Sequence, residues 1–125
     1  MTHLGQKTVI ASACLAGLLI AAPFAVHSTA RAQATTREFT IDGDHFAFAP
    51  ARLEVNKDDV VKITFTAKDI AHSFTIDNYR IAKRAAAGQT VTFEFRADQP
   101  GTHRFYCNLT TDERCKRMEG TLVVR

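Results

Sequence analysis

Apolar and polar residues alternate along two stretches of the chain, and this two-residue period is typical of half-buried β-strands. The apolar face of the first stretch consists of Val61, Ile63, Phe65 and Ala67. The apolar face of the second stretch consists of Val91, Phe93 and Phe95. The intervening positions carry Lys, Thr, Glu and Arg side chains. Each stretch is therefore predicted to be a strand with one face in the protein core.

Further strands are predicted where short runs rich in β-branched and aromatic residues lie between turn signals. They cover residues 38–41, 51–55, 72–76, 102–107 and 121–124. Turn-forming Gly, Pro, Asn and Asp residues separate the runs, as in segments 42–44, 56–59 and 99–101. Short strands at this spacing predict an all-β sandwich of two antiparallel sheets. The segment 79–87 is the one stretch compatible with a helical turn.

Counting in steps of two also places two residues whose side chains bind metals. His72 shares a strand face with the apolar positions 74 and 76, and Cys107 shares a face with positions 103 and 105. His72 begins its predicted strand, and Cys107 ends its own. Both side chains are therefore predicted to point into the interior from strand ends, where a bound ion would be shielded from water.

The first 32 residues have the pattern of a secretory signal peptide. His3 and Lys7 precede an apolar run at residues 9–26, and small residues including Ala30 and Ala32 follow it. The predicted organisation is a signal peptide, residues 1–32, and one domain, residues 33–125, that is periplasmic or secreted. The alternative is an uncleaved membrane anchor, because the apolar run is at the lower length limit for crossing a bilayer.

Net charge argues against one class of partner. The chain has 16 Lys and Arg residues against 13 Asp and Glu residues, a formal charge of +3. Lys7 and Arg31 precede the predicted cleavage point, so the remaining domain is nearly neutral and nucleic acid is not expected as its main partner. Six basic residues of its second half are Arg80, Lys83, Arg84, Arg114, Lys116 and Arg117. They form either a patch that binds an acidic protein or a set of scattered, solvated charges.

Cys107 and Cys115 admit two interpretations. Two cysteines in an exported domain predict a disulfide, which would close the loop 108–114 and stabilise the fold by roughly 2–3 kcal/mol. Together with His72 and Met118, the same cysteines form a set of soft sulfur and imidazole donors. Such a set favours copper, and Cu(I) in particular, over the hard cations calcium and magnesium.

Three segments of the sequence resemble the cupredoxin family: Ala71-His-Ser-Phe74, Pro100-Gly-Thr-His-Arg-Phe-Tyr-Cys107 and Met118-Glu-Gly-Thr-Leu-Val-Val124. The resemblance covers nearly all of the domain and includes some likeness to the copper domain of cytochrome oxidase subunit II. It implies a Greek-key β-sandwich or barrel of the cupredoxin type that binds one copper ion at one end. It also implies that His72, Cys107 and Met118 correspond to copper ligands of the family.

The chain departs from the family at one ligand. The family's second His usually lies between the Cys and the Met, but here no His follows Cys107, and Cys115 stands three positions before Met118. The His₂Cys set of a blue-copper site therefore cannot be assembled from the matched positions. The predicted metal ligands are instead His72, Cys107, Cys115 and Met118. A dinuclear centre like that of oxidase subunit II is disfavoured, because the two cysteines are well separated and the second His is missing.

Two other histidines are weaker candidates. His103 lies four residues before Cys107 and is predicted to be a buried, hydrogen-bonded core residue. It would replace the missing imidazole only if its strand were bulged or shifted. His45 lies in a turn and belongs to no ligand motif.

The function predicted from these observations is not enzymatic, because residues 33–125 contain no acid–base pair, Ser-His-Asp order, phosphate loop or zinc spacing. The leading hypothesis is an exported copper protein that transfers single electrons between redox partner proteins. A protein that holds Cu(I) or delivers it to a copper-trafficking partner is an alternative, favoured by the missing second His. A metal-free interaction module with a disulfide is another. We expect a monomer, with no stable membrane anchor once the signal peptide is cleaved.

Overall fold

The computed structural model describes residues 33–125 together with Gly17 and Ala25. Residues 32–125 form a compact unit, and the described hydrophobic core lies within it. The predicted signal peptide, apart from Gly17 and Ala25, lies outside the described residues and stays a prediction. Among the described residues, no helix is both long enough and apolar enough to cross a membrane.

The described part of the chain is almost entirely β-structure, as predicted. Its strands are β1 (Thr36–Asp44), β2 (Ala47–Ala49), β3 (Arg52–Val55), β4 (Val60–Ala67), β5 (His72–Ile76), β6 (Ile81–Ala85), β7 (Thr90–Arg96), β8 (Gly101–Tyr106) and β9 (Glu119–Val124). Two single-turn 3₁₀ helices, Asp77–Tyr79 and Cys115–Arg117, lie between strands. Every strand predicted from the sequence is present, with its ends shifted by a few residues at most.

The strands form a Greek-key sandwich of two sheets, with the orders β2-β1-β4-β7 and β3-β9-β8-β5-β6. The prediction that both sheets are antiparallel is wrong for two pairs, because β1 is parallel to β4 and β3 is parallel to β9. Parallel neighbours need a long connection between them. The chain supplies one for β1 and β4 by passing through β2 and then through β3 in the other sheet.

Two strands, β2 and β6, were not predicted from the sequence. β2 has only three residues. β6 occupies most of the segment 79–87, so the helical turn considered there is wrong except at its first residue. β6 is an edge strand whose middle residues, 82–84, are exposed. Lys83 and Arg84 lie among them, so the strand lacks the apolar–polar alternation used to predict the other strands. Charged residues on an edge strand also discourage pairing with another chain.

The interior is built from the faces that alternation predicted. Val61, Ile63, Phe65 and Ala67 of β4 have no exposed surface. On the neighbouring strands β5 and β8 of the five-stranded sheet, the rings of Phe74 and Phe105 stack with their centroids 4.7 Å apart. β5 differs from the other strands because all five of its residues are buried, polar ones included. Both faces of β5 are therefore covered, and any polar group on it needs a partner inside the protein.

The turn between β1 and β2 brings polar groups to the end of the sandwich where β5 begins. Its two central residues, His45 and Phe46, both have positive φ, 48° and 60°, as in the tight hairpin turn that usually contains Asn and Gly. The His45 N–H donates to Asp69 Oδ2 at 3.0 Å, and the Lys68 N–H donates to the Gly43 carbonyl at 2.9 Å. The turn is thus fixed to the segment that leads into His72.

Candidate metal centre

His72, the first residue of β5, is completely buried and has one imidazole nitrogen without a partner. Its Nε2 lies 2.7 Å from Asp69 Oδ1. A carboxylate is only an acceptor, so Nε2 carries the hydrogen in this pair and the neutral ring has its lone pair on Nδ1. Nδ1 is buried with no hydrogen-bond partner in the described structure. An unpaired basic nitrogen in the interior is costly unless something binds it.

The pKa of the Asp69 carboxyl is well below its usual value. Partial burial raises the pKa, but hydrogen bonds from the Ile70 N–H, the His72 ring and the His45 N–H outweigh this effect and lower it to about 2. The Asp69 side chain is 26% exposed, whereas that of His72 is fully buried. At neutral pH Asp69 therefore presents a negative charge beside the buried imidazole.

Cys107 follows β8 directly and is fully buried. Its Sγ accepts a hydrogen bond from the Ser73 N–H at 3.4 Å, so the sulfur lies against the residue next to His72. The Cys107 N–H donates to the Met118 carbonyl at 3.1 Å. These two bonds link Cys107 to the segments that carry two other predicted ligands.

Ser73 also fixes the loop that follows Cys107. Its Oγ donates to Asn108 Oδ1 at 2.7 Å and accepts from the Asn108 N–H at 2.8 Å. Both groups of Asn108, an exposed residue, are therefore paired with the hydroxyl of the buried Ser73. The start of the loop 108–114 is held against β5 by this reciprocal pair.

Cys115 lies at the start of the second 3₁₀ helix and is bonded to Cys107 in a disulfide. Their Cα atoms are 5.2 Å apart, within the usual range for a disulfide. The structure therefore shows the oxidised form that the sequence left as one of two interpretations. Cys115 is 2% exposed, so neither sulfur lies at the surface.

Met118 completes the predicted ligand set, and it is fully buried. Its N–H donates to the Cys115 carbonyl at 3.0 Å. A Cβ placed on Gly43 of β1 would lie 3.0 Å from Met118 Cε and from the Phe65 ring. A larger residue at position 43 would therefore require the Met118 methyl group and the Phe65 ring to move by a few tenths of an ångström.

The four predicted ligands thus lie at one end of the sandwich, joined by a disulfide and by backbone contacts. Cys107 and Cys115 are covalently linked, Met118 is hydrogen-bonded to both, and His72 is joined through Ser73. His45 and His103, the other two histidines among the described residues, do not belong to this set. His103 is buried and its Nε2 pairs with the Gln99 carbonyl at 2.7 Å, which confirms the core role predicted for it.

Sequence reasoning missed Asp69 and Ser73, which hold His72 and Cys107 in place. The spacing Asp69-x-x-His72 is the one signal for this contact in the sequence, and Asp is also a common turn residue. His45 is exposed, and its ring Nδ1 lies 2.9 Å from Asp44 Oδ1. The donor atoms of Asp44, His45 and Asp69 lie within 4.8 Å of one another, so His45 belongs to a surface group outside the buried set.

The predicted basic residues are only partly available for a partner. Arg114 forms a bidentate pair with Asp112, with its closest contact at 2.7 Å. This hydrogen bonding lowers the pKa of the Asp112 carboxyl to about 2. The Arg114 guanidinium also lies 4.3 Å from the centre of the Phe46 ring, and Lys116 pairs with Glu113 at 3.0 Å.

A surface cavity of about 630 Å³ lies directly outside Asp69. It is lined by His45, Phe46, Asp69, Ile70, Arg114 and Arg117. Ile70 is the one large hydrophobic residue of the described chain that is exposed. The rings of Phe46 and His72 are perpendicular, with their centroids 5.6 Å apart. The cavity is thus separated from the buried imidazole by Phe46 and Asp69.

Comparison with known proteins gives one family. The family model of the cupredoxin-like domain matches residues 16–124. Nitrous-oxide reductase of Stutzerimonas stutzeri is 29% identical over 82 residues, covering 62% of this chain and 13% of that protein. The chain therefore corresponds to a small part of the length of this curated relative.

Two solved structures show the same fold at low sequence identity. The metal-binding domain of the Cu(I)-exporting P-type ATPase of Streptococcus pneumoniae D39 has a TM-score of 0.63 and 17% identity, covering 72% of this chain and 86% of that one. Auracyanin A, a blue copper protein of Chloroflexus aurantiacus, has a TM-score of 0.61 and 19% identity, covering 72% of this chain and 99% of that one.

The hydrogen bonds of Ser73 generate a stability prediction with an internal control. Ser73→Ala removes two hydrogen bonds to Asn108, each with a net contribution of about 0.5–1.5 kcal/mol, so we expect the free energy of unfolding to fall by about 1–3 kcal/mol. Thr75 lies on the same strand, and its buried hydroxyl has no partner in the described structure. Thr75→Val should therefore be neutral or stabilising. Urea unfolding followed by circular dichroism measures the stability of both variants. Equal losses of unfolding free energy in the two variants would contradict the role given to the Ser73 hydroxyl.

Proposed function

The chain belongs to the cupredoxin-like domain family, and on that premise we propose that it is an exported copper protein that holds Cu(I) when its two cysteines are reduced. The observation that carries the proposal is the buried Nδ1 of His72, which has no partner in the described structure. Cys107, Cys115 and Met118 provide three sulfur donors at the same end of the sandwich. These four residues would hold one ion.

The chemistry of the donors supports copper. Thiolate and thioether sulfur with one imidazole suits Cu(I), and carboxylate and carbonyl oxygen would be needed for calcium or magnesium. The four side chains are buried, and two thiolates in a dry site need a cation to offset their charge. Cu(I) would offset one of the two thiolate charges, and the Ser73 N–H that donates to Cys107 Sγ would help to stabilise the other.

The cysteine redox state would decide whether the site binds copper. In the disulfide form Cys107 and Cys115 have no thiolate to offer, since a metal binds the thiolate rather than the disulfide. Reduction would restore both donors without moving the backbone far, because the Cα atoms are already 5.2 Å apart. The dithiol form is thus the proposed copper-binding form, and the disulfide form is its metal-free counterpart.

Electron transfer is a second candidate, and one contact favours it. The Ser73 N–H donates to Cys107 Sγ, and hydrogen bonds to the cysteine sulfur tune the potential of blue-copper sites. A partner protein would dock at the cavity outside Asp69, where the basic Arg117 and the apolar Ile70 are exposed to it. The missing second imidazole weighs against this function, because a site with two thiolates favours Cu(I) over Cu(II).

Export rests on the N-terminal pattern of charged, apolar and small residues. We expect the protein recovered from cells to be cleaved after Ala32 or Ala34 and to lie in the periplasm or the medium. N-terminal sequencing of the fractionated protein measures this. Recovery of the uncleaved chain in the membrane fraction would contradict export as a free domain.

Copper binding is tested with the unit of residues 32–125 under anaerobic conditions. The reduced protein should bind one Cu(I) per chain in competition with a chromogenic chelator, and the disulfide form should bind none. Met118→Leu, which keeps the volume of the side chain, should lower the affinity by at least about tenfold, the smallest loss typical even of outer residues of metal sites. His45→Gln changes an exposed histidine outside the set and should have no effect.

Three results would overturn the Cu(I) proposal. They are loss of all Cu(I) from the reduced protein to the chelator, equal Cu(I) retention by the disulfide and reduced forms, and equal Cu(I) affinities of Met118→Leu and His45→Gln. In the first case a metal-free module with a structural disulfide would be the remaining function. Circular dichroism of each variant checks that the fold is intact.

Addition of Cu(II) to the reduced protein separates copper holding from electron transfer. For a holding protein we expect the two thiols to be lost together as a disulfide, with their two electrons taken up by two added Cu(II) ions that become Cu(I). An electron carrier would instead show stable thiolate-to-copper absorption with both thiols retained. Visible spectra and thiol counts taken at intervals measure this, and persistent colour would exclude the holding function as the main one.

A further inference from the structure

We propose that Asp69 is a positioning residue that makes Nδ1 of His72 the metal-binding nitrogen. The inference rests on the proposed copper site, because it concerns one ligand of that site. It starts from the pair formed by Asp69 Oδ1 and His72 Nε2, 2.7 Å apart, and from the unpartnered Nδ1 on the other side of the ring. On this proposal Asp69, which lies in the loop before β5, determines which nitrogen of the buried His72 ring binds the metal.

The chemistry of the pair fixes the tautomer. Each oxygen of an ionised carboxylate accepts hydrogen bonds and donates none. If His72 carried its hydrogen on Nδ1, two acceptors would face each other at Nε2, and a buried N–H would lack an acceptor at Nδ1. With the hydrogen on Nε2, one bond is made and the lone pair on Nδ1 is available for a ligand. A carboxylate paired with a histidine in this way also raises the basicity of the ligating nitrogen.

The carboxylate is itself held in one orientation. Oδ2 of Asp69 accepts from the His45 N–H at 3.0 Å, which leaves Oδ1 for His72. The His45 N–H is aimed at Asp69 by the tight turn between β1 and β2, where both central residues have positive φ. The turn thus orients the Asp69 carboxylate. The residues at its centre, His45 and Phe46, do not indicate this role in the sequence.

The ring of His72 is restrained on its face as well as at its edge. Phe46 meets it at 90°, with centroids 5.6 Å apart, and Arg114 covers the Phe46 ring. Rotation of the imidazole by half a turn would break the bond to Asp69 and place a C–H against the carboxylate. The turn, through Asp69 and Phe46, therefore holds His72 with one nitrogen outward and one inward.

Asp69→Asn tests the inference, because an amide has only one acceptor oxygen. That oxygen is needed by the His45 N–H, so the amide NH₂ faces His72 Nε2 and both can pair only if the ring hydrogen moves to Nδ1. We expect nitrogen-15 NMR of the metal-free disulfide protein to show His72 with its hydrogen on Nε2, and the variant to show it on Nδ1. Asp44→Asn is the matched control, since Asp44 contacts His45 but not His72. It should leave the His72 spectrum unchanged.

The same variants give a second measurement in the reduced protein. Cu(I) affinity should fall by about 10–100-fold in Asp69→Asn, the loss expected for an outer residue that orients a histidine ligand, and should be unchanged in Asp44→Asn. A wild-type spectrum with the hydrogen on Nδ1 of His72 would overturn the inference, even if Asp69→Asn failed to fold. Equal Cu(I) affinities of wild type and Asp69→Asn would also overturn it.

The NMR measurement separates the failure of this inference from the failure of the proposed function. If reduced wild-type protein binds no Cu(I) while the NMR result is as expected, the copper site is overturned and Asp69 is left as an orienting residue of a metal-free histidine. That outcome contradicts the metal-positioning role. If Cu(I) binds but the wild-type spectrum shows the His72 hydrogen on Nδ1, the copper site is supported and the proposed role of Asp69 is overturned.

Discussion

The antiparallel pairing of β5 with β8 is the constraint on which the candidate site depends. Thr75 pairs with Tyr106, so the start of β5 and the end of β8 meet at the same end of the sandwich. His72 is the first residue of β5, and Cys107 directly follows β8. The register of one strand pair therefore brings an imidazole and a thiol together from positions far apart in sequence. A shift of one residue in either strand would turn its side chain to the other face.

Alternation alone predicted much of this arrangement. The inward positions of His72, Cys107 and His103 followed from counting in twos from the apolar residues beside them, since side chains of a strand alternate strictly between its faces. The same rule failed at β6, where an exposed edge removes the contrast between faces. The parallel pairing of β1 with β4 could not be predicted either. It depends on the path of the chain between the two sheets, which the residue pattern of neither strand indicates.

Alternation could not identify the residues that support the site, because their contacts include residues far away in the sequence. Asp69 contacts His72 and the N–H of His45, and Ser73 contacts both Cys107 and Asn108. No periodicity marks such contacts, and Asp and Ser are ordinary turn and surface residues in a sequence. Proximity of Cys107 and Cys115 was predictable, but their bonding state was not. The 5.2 Å between their Cα atoms suits a disulfide. We infer that the same Cα separation would let both sulfurs reach one metal ion.

Under the proposed function, copper binding and disulfide formation would compete for the same two sulfurs. A ligand that binds only the dithiol form stabilises it by RT ln(1 + [L]/Kd), which is about 2.7 kcal/mol when the ligand is present at a hundred times its Kd. The disulfide that closes the loop 108–114 stabilises the folded protein against unfolding by roughly 2–3 kcal/mol on chain-entropy arithmetic. By linkage, folding favours the disulfide over the dithiol by the same amount, relative to the unfolded chain. Since about 1.4 kcal/mol corresponds to 30 mV for a two-electron couple, copper at that level would shift the disulfide potential by about 60 mV. Neither effect dominates the other, so the thiol balance of the compartment and the supply of Cu(I) would together set the fraction of protein in each form.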